Sequence, residues 1–194
     1  GIVDPRFLVS TVGALPGDRL VLTKPLGTGI LATALKGEVI NELQMREAIR
    51  GMEQLNRYAA EAMLAVGVHA CTDITGFGLL GHALELAAAS QVGLEIEAGA
   101  LQVYPEALDL AAIGLVPVGS YHNRQHYLPQ VVNGEELPAE LIDILADPQT
   151  SGGLLICVEE SKLAELCRQL ETRGSNAFVI GRVVEHNPGM LSVR

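Results

Sequence analysis

Short apolar segments alternate with segments of helical periodicity along most of this 194-residue chain. The segments expected to form strands are 19–24, 68–74, 93–99, 153–158 and 177–185. Helices are expected between them, at about 29–36, 79–90, 105–112, 138–145 and 162–173. A turn and a further apolar stretch follow the last strand and predict an antiparallel hairpin there. The pattern favours the α+β class, in which helices flank a mixed β-sheet, over a doubly wound parallel sheet.

Two longer segments of the chain differ from this alternation of short strands and helices. Residues 42–66 repeat apolar side chains at steps of three and four, so we expect one long helix. Residues 114–137 show no such repeat and are interpreted as a long irregular segment. Because structureless loops of this length are uncommon, we expect this segment to carry a function or further structure.

Charge and hydropathy exclude several classes of protein. The chain has 13 Lys and Arg against 23 Asp and Glu, a net charge of −10, which argues against nucleic-acid binding because that class needs basic surface. Its apolar fraction of 48% is too high for a disordered chain. No apolar stretch approaches the roughly 20 residues of a membrane span. The three cysteines, Cys71, Cys157 and Cys167, lack metal-ligand spacing and are odd in number, so we expect buried thiols in a reducing, cytoplasmic setting.

The first residues resemble the interior of a longer polypeptide. The chain begins with Gly1 rather than Met, which is typical either of a processed fragment or of a piece cut from a longer chain. Residues 1–16 are mostly apolar and irregular, and Pro5 and Pro16 interrupt them. We therefore expect residues 1–16 to be a linker from a preceding domain and residues 17–194 to form a single domain.

The sequence CTDITGFGLLGH at 71–82 carries the strongest chemical signal. Asp73 ends an apolar strand, Gly76 and Gly78 allow a sharp turn close to a ligand, and a helix begins directly afterwards. A helix N-terminus favours phosphate, and Mg²⁺ prefers one or two carboxylates together with phosphate oxygens. Asp73 is therefore a candidate Mg²⁺ ligand. The same pattern also fits Asp73 or Thr75 as a simple helix cap.

Two further glycine-rich loops adjoin predicted strands. The sequence ADPQTSGG at 146–153 offers either a phosphate-binding loop or a plain connection from helix to strand. The sequence LTKPLGTG at 22–29 places Lys24 at the end of a buried strand, without the residue order of a P-loop. Lys24 has two possible roles, contact with a phosphate or an ion pair with a carboxylate, and we favour the ion pair.

The histidines do not predict a metal site. His122 and His126 are four residues apart in HNRQH, but the glutamate of the zinc-protease pattern is missing. His82 follows the turn at 75–78 on an apolar helix, where a hydrogen-bonded structural histidine is expected. We therefore expect no zinc at these positions.

The three glycine-rich motifs together resemble the C-terminal half of the selenophosphate synthetase (selenide, water dikinase) family. The matching sequences are TDITGFGLLGH at 72–82, DPQTSGGLLI at 147–156 and GDRLVLTKPLGTGIL at 17–31, in the order and approximate spacing of that family. The closing VIGRVVE at 179–185 also resembles the end of the family, so the resemblance covers essentially the whole chain. This family belongs to the aminoimidazole-ribotide-synthetase-like ATP enzymes. Membership implies a C-terminal α/β sandwich built on a mixed sheet.

The resemblance also implies an activity. The family converts ATP, selenide and water into selenophosphate, AMP and orthophosphate with Mg²⁺, and one of its metal-binding Asp residues maps onto Asp73. Thr75 and Gly76 beside it are expected to line the nucleotide site. The catalytic Cys or selenocysteine and its Lys lie in an N-terminal segment that no residue here matches, so the chain by itself is expected to lack turnover. The family forms homodimers, mainly through its N-terminal domain.

One motif departs from the family, and two other interpretations stay open. Relatives often read G-[GS]-x-x-R-N where this chain reads GSYHN at 119–123, with His122 in the place of Arg and Arg124 close by. The resemblance therefore assigns no anion-binding role to this segment. A second interpretation is a sibling ATP enzyme that makes aminoimidazole ribotide, phosphorylates thiamine phosphate or matures hydrogenases. A third is a non-enzymatic binding or scaffold domain.

Overall fold

The structure is a computed structural model that describes residue 4 and residues 8–194. This part of the chain contains six strands and eight α-helices, and helices separate the first five strands, as predicted. The strands are β1 (Arg19–Leu22), β2 (Ala70–Asp73), β3 (Gly93–Ile96), β4 (Leu154–Val158), β5 (Phe178–Val184) and β6 (Leu191–Val193). The helices are α1 (Thr28–Lys36), α2 (Arg46–Glu53), α3 (Arg57–Val66), α4 (Gly78–Ser90), α5 (Ala107–Ala112), α6 (Val118–Tyr127), α7 (Ala139–Ala146) and α8 (Leu163–Thr172). None of the helices in these residues has the length and apolar composition needed to cross a lipid bilayer.

The six strands form one mixed sheet in the order β2-β4-β1-β5-β3-β6. Four neighbouring pairs are antiparallel, and β3 and β6 are parallel. The predicted mixed sheet and α+β class are confirmed, whereas the predicted hairpin of the last two strands is wrong. β5 already pairs with β1 on one side and with β3 on the other, so β6 joins the sheet at the outer edge of β3.

The sheet is the middle layer of a three-layer sandwich. Successive side chains of a strand point to opposite faces, so β1 contributes to both layers. Leu20 and Leu22 pack in the larger apolar cluster, with α1, α4, α5 and α7. Val21, between them, packs in a second cluster with α3 and α8. This alternation of buried side chains explains why the strand reads as continuously apolar.

The single helix predicted over 42–66 is wrong, because the chain forms two helices there. Gln54 ends α2 in an extended conformation and α3 begins three residues later, at Arg57. The Gln54 carbonyl accepts a hydrogen bond from Lys24 Nζ at 2.8 Å, and Asn56 Nδ2 donates to the Gly152 carbonyl at 2.9 Å. These long-range contacts interrupt the helix without disturbing the apolar repeat.

The segment 114–137 contains further structure, namely helix α6 and two short 3₁₀ turns. Sequence periodicity did not predict α6 because its two buried residues, Ser120 and Asn123, are polar. A helix that buries polar side chains leaves no apolar stripe in the sequence.

The described part of the predicted linker lies against the sheet. The carbonyl of Ser10 accepts a hydrogen bond from the N–H of Cys71 on edge strand β2 at 2.9 Å. The division between residues 1–16 and the rest of the chain stays a prediction. Residues 1–3 and 5–7 of that segment lie outside the described residues.

Candidate functional site

The three glycine-rich motifs meet at one edge of the sheet. Strands β1 and β2 both end at this edge, and β4, which runs antiparallel between them, begins there. The register pairs Leu22 with Leu155 and Asp73 with Leu154. The edge therefore carries the Lys24 loop (residues 23–29), the Asp73 loop (residues 73–78) and the Asp147 loop (residues 147–153), which are far apart in sequence.

Backbone hydrogen bonds join the Asp73 loop to the Asp147 loop. The N–H of Ile74 donates to the Gly153 carbonyl at 2.8 Å, and the N–H of Gln149 donates to the Thr75 carbonyl at 2.9 Å. The two backbones approach so closely that a Cβ at Gly152 would lie 2.0 Å from the Ile74 oxygen. Glycine at position 152 is thus a steric requirement of this contact.

The Asp147 loop caps helix α1 from outside the helix. Gln149 Oε1 accepts hydrogen bonds from the N–H groups of Gly27 at 3.1 Å and Thr28 at 3.3 Å. Asp147 Oδ2 accepts from the N–H of Gly29 at 2.9 Å. These are the free donors of a helix N-terminus, which would otherwise be open to an anion. Protein oxygens already occupy them, so this helix end does not favour a phosphate.

Asp147 is fully buried beneath these contacts. Burial raises the pKa of its carboxyl group to about 7, against the lowering effect of hydrogen bonds from Gly29 and Gln149. The group therefore titrates near neutral pH although it belongs to the framework of the site.

Lys24 has a structural role, but its predicted ion pair is wrong. The side chain is buried, and Nζ donates to the carbonyls of Gln54 at 2.8 Å and Ser151 at 2.7 Å. No carboxylate partner is recorded for it among residues 8–194. Burial lowers the pKa of Lys24. Lys24 thus ties the Asp147 loop to the break between α2 and α3.

The Asp73 loop presents its first residue to solvent. The Asp73 side chain is exposed at the end of β2, and no side-chain cap is recorded at the start of α4, so neither Asp73 nor Thr75 caps this helix. Gly78 has a φ of 68°, and a Cβ there would lie 2.7 Å from the Leu145 oxygen. A Cβ at Gly76 would meet nothing within 4 Å. Gly78 makes the turn, while Gly76 borders open space.

Thr75 is linked to a buried histidine. Its Oγ1 lies 3.1 Å from His82 Nε2, and His82 Nδ1 lies 3.5 Å from Glu85. Burial lowers the pKa of His82, which favours the neutral ring. The Phe77 ring packs against His82 with centroids 5.3 Å apart. His82 thus has the structural role expected from the sequence.

Helix α6 contacts both loops, which sequence reasoning missed. Asn123 Nδ2 donates to the carbonyls of Gly76 and Ala146, each at 2.9 Å. Gly119 packs so closely on Pro148 that a Cβ would lie 2.7 Å from the proline ring. The spacing of Gly119, Ser120 and Asn123, which places all three on one helical face, is the signal that would have found this helix.

The two positions next to Asn123 point elsewhere. His122 is exposed, and its side chain has no hydrogen bond to the other described residues. Arg124 Nη1 pairs with Asp143 of α7 at 3.3 Å. This pair holds α6 against α7, so Arg124 is used within the fold.

The described residues contain neither a cluster of metal ligands nor an ionised thiol at neutral pH. The described residues contain no group of three or more His, Cys, Asp or Glu that could hold a metal ion. Burial raises the pKa of Cys71 to about 12 and also raises the pKa values of Cys157 and Cys167, so these thiols are protonated at neutral pH. Asp73 can supply one of the one or two carboxylates that Mg²⁺ uses beside phosphate oxygens and water.

Comparisons with known proteins agree with this fold. Two solved structures match it, a thiamine-monophosphate kinase from Stenotrophomonas maltophilia and the hydrogenase maturation protein HypE from E. coli, with TM-scores of 0.68 and 0.66. They share 17% and 21% sequence identity with the chain, and the matches cover 98% and 96% of it and 54% and 49% of the solved chains. At this identity the likeness concerns the fold alone.

Two curated relatives are more similar in sequence. Proteins named "Selenide, water dikinase" from Caldanaerobacter subterraneus subsp. tengcongensis and Clostridioides difficile are 46% and 42% identical to the chain, over its whole length. The chain spans only 56% of each relative. The family model described as "AIR synthase related protein, C-terminal domain" matches residues 16–193. The chain therefore belongs to the AIR synthase related family and represents its C-terminal domain.

Proposed function

We propose that the protein carrying this chain is a selenide, water dikinase, which converts ATP, selenide and water into selenophosphate, AMP and orthophosphate. The relatives of that name at 46% and 42% identity support this activity. The observation that carries the proposal for this chain is the meeting of the three motif loops at one edge of the sheet, where the Asp73 carboxylate is exposed.

Asp73 would hold Mg²⁺ at this edge of the sheet. Phosphoryl transfer depends mainly on positioning and on neutralising phosphate charge, which a bound Mg²⁺ supplies. The Asp73 carboxylate is exposed and is not used as a helix cap, so it is free to serve as one ligand. The remaining ligands come from phosphate oxygens, water or residues outside this chain.

Thr75 and Gly76 would line the nucleotide site. The Thr75 carbonyl and hydroxyl are held by Gln149 and His82, so the backbone here is fixed before a ligand arrives. The open space beside Gly76 allows the nucleotide to approach the backbone.

The rest of the activity lies outside these residues. We assign no nucleophile in this chain, because burial keeps its thiols protonated at neutral pH. We therefore propose that the chain alone has no turnover and that the rest of the protein supplies the nucleophile. Assembly as a homodimer and a cytoplasmic location are part of the same proposal.

The first experiment is ³¹P NMR of the full-length protein with Mg-ATP and selenide. Selenophosphate together with AMP and orthophosphate is the expected result. ADP as the only nucleotide product would instead indicate a sibling ATP enzyme. A folded protein that consumes no ATP would favour a binding or scaffold role.

Asp73→Asn in the full-length protein tests the proposed metal ligand. We expect turnover to fall by at least about 100-fold, because the substitution removes a charged ligand from a site that works by charge neutralisation. The matched control is Asp109→Asn, which removes the same charge from an exposed position on α5. Near-normal turnover in Asp73→Asn, measured with unchanged thermal stability, would remove Asp73 from the metal site.

A further inference from the structure

We propose that Asn123 is a positioning residue, which holds the Asp73 loop in the shape that presents Asp73 to Mg²⁺. The inference rests on the proposed function for its catalytic consequence. The hydrogen-bond geometry behind it is independent of that function.

One buried side chain joins the Asp73 loop to the last residue of α7, directly before the Asp147 loop. Asn123 is 7% exposed, and its amide donates both of its hydrogens, to the carbonyl of Gly76 in the Asp73 loop and to the carbonyl of Ala146 at the end of α7. Both acceptors are carbonyl oxygens, so the orientation of the amide is determined by its partners. Asn123 therefore fixes the distance between the Asp73 loop and the start of the Asp147 loop.

In the described residues, four hydrogen bonds tie residues 74–76 of the Asp73 loop to the rest of the fold, and two of them involve the side chains of His82 and Asn123. Ile74 and Thr75 are held by backbone groups of Gly153 and Gln149. Gly76 is held by Asn123. A Cβ at Gly76 would meet no protein atom within 4 Å, so water rather than another protein group replaces that contact when it is lost. A substitution at 123 therefore releases one end of the loop and leaves the backbone contacts in place.

The rest of α6 is independently anchored. Gly119 packs on Pro148, and Arg124 pairs with Asp143. The helix is thus expected to stay in place when the Asn123 amide is removed. Outer-shell groups that orient a metal ligand typically change metal affinity by about 10- to 100-fold when they are lost.

The test compares Asn123→Ala and Asn123→Leu with the control His122→Ala. Leucine keeps most of the side-chain volume of asparagine but has no hydrogen-bond donor. If both variants show the same effect, the effect comes from the lost hydrogen bonds and not from a cavity. His122 is the exposed neighbour of Asn123 on α6. Two properties are measured, amide hydrogen exchange of residues 73–79 and 147–153 without metal or nucleotide, and the Mg²⁺ concentration for half-maximal turnover of the full-length protein.

In both Asn123 variants we expect amide exchange in the two loops to quicken by at least about tenfold. We also expect the half-maximal Mg²⁺ concentration to rise by about tenfold, with a smaller change in kcat. Unchanged exchange in both loops would overturn the inference. So would an unchanged Mg²⁺ requirement in folded variants, even if their melting temperature fell.

Failure of the inference about Asn123 can be told apart from failure of the proposed function. If Asp73→Asn abolishes turnover and the Asn123 variants keep the normal Mg²⁺ requirement, the metal site stands and the inference about Asn123 is wrong. If Asp73→Asn has no effect, the proposed metal site is wrong. The exchange measurement then still decides whether Asn123 holds the loop.

Discussion

The buried carboxyl group of Asp147 makes stability depend on pH with a definite sign. Burial raises its pKa from the ordinary 3.8 to about 7, because lost hydration outweighs the donors at Gly29 and Gln149. A carboxyl group with a higher pKa in the folded state binds more protons when the protein is folded. The contribution of Asp147 to the free energy of unfolding should therefore fall as pH rises from about 4 to about 7 and level off above that.

The expected size follows from the difference between the two pKa values. A difference of about 3 pKa units corresponds to about 4 kcal/mol, at 1.36 kcal/mol for each unit. Asp147→Asn keeps the shape of the side chain but cannot ionise. We expect the variant and the parent to differ little in free energy of unfolding near pH 4. Above about pH 7 the variant should be more stable by up to about 4 kcal/mol.

Urea unfolding of both proteins from about pH 4 to about pH 8 measures this difference directly. Subtracting one curve from the other cancels the titration of all groups that the two proteins share. Asp109→Asn, on the exposed surface of α5, is the matched control and should show almost no pH-dependent difference. A parent that gains stability relative to Asp147→Asn as pH rises would refute the reasoning. That result would mean that the donors at the N-terminus of α1 outweigh burial.

Two substitutions test the contacts that hold the loops together. Gly152→Ala should cost at least about 2 kcal/mol of unfolding free energy in urea denaturation, because its Cβ would lie 2.0 Å from the Ile74 oxygen. Gly76→Ala meets nothing within 4 Å and should cost no more than about 1 kcal/mol; equal losses would contradict this account. Lys24→Met should lower the free energy of unfolding by about 2–4 kcal/mol, because two buried carbonyls lose a charged donor. Relief of the cost of burying the charge offsets part of this loss. The exposed Lys36→Met is its control in thermal unfolding, and a Lys24 variant as stable as this control would show that the buried hydrogen bonds contribute nothing net.

Much of the fold could be predicted from local patterns. The apolar alternation located β1 to β5 and most helices, because side-chain direction in a strand or helix repeats at a fixed spacing. The motif sequences also placed Asp73 and Lys24 at strand ends, where the structure has them. Their meeting at one edge required the strand order, which depends on pairing between distant segments.

The errors have one physical cause, namely contacts between residues distant in sequence. The break between α2 and α3 follows hydrogen bonds to Lys24 and Gly152, which leave no trace in the apolar repeat of 42–66. The last strand pairs with β3 rather than β5, because β1 and β3 already occupy both edges of β5. Local sequence carries no information on which strand edges are free.

The sequence by itself determined the class of the fold, the positions of most of its strands and the three glycine-rich loops, one of which carries the proposed chemistry. These properties depend on side-chain period and on the turn-forming ability of glycine, which are local. The tertiary structure alone decided the part played by α6. Its buried face is polar, and Asn123 finds its partners 47 and 23 residues away in the chain. Only the folded chain brings that amide to the two carbonyls, because no local pattern specifies a hydrogen bond over such a distance.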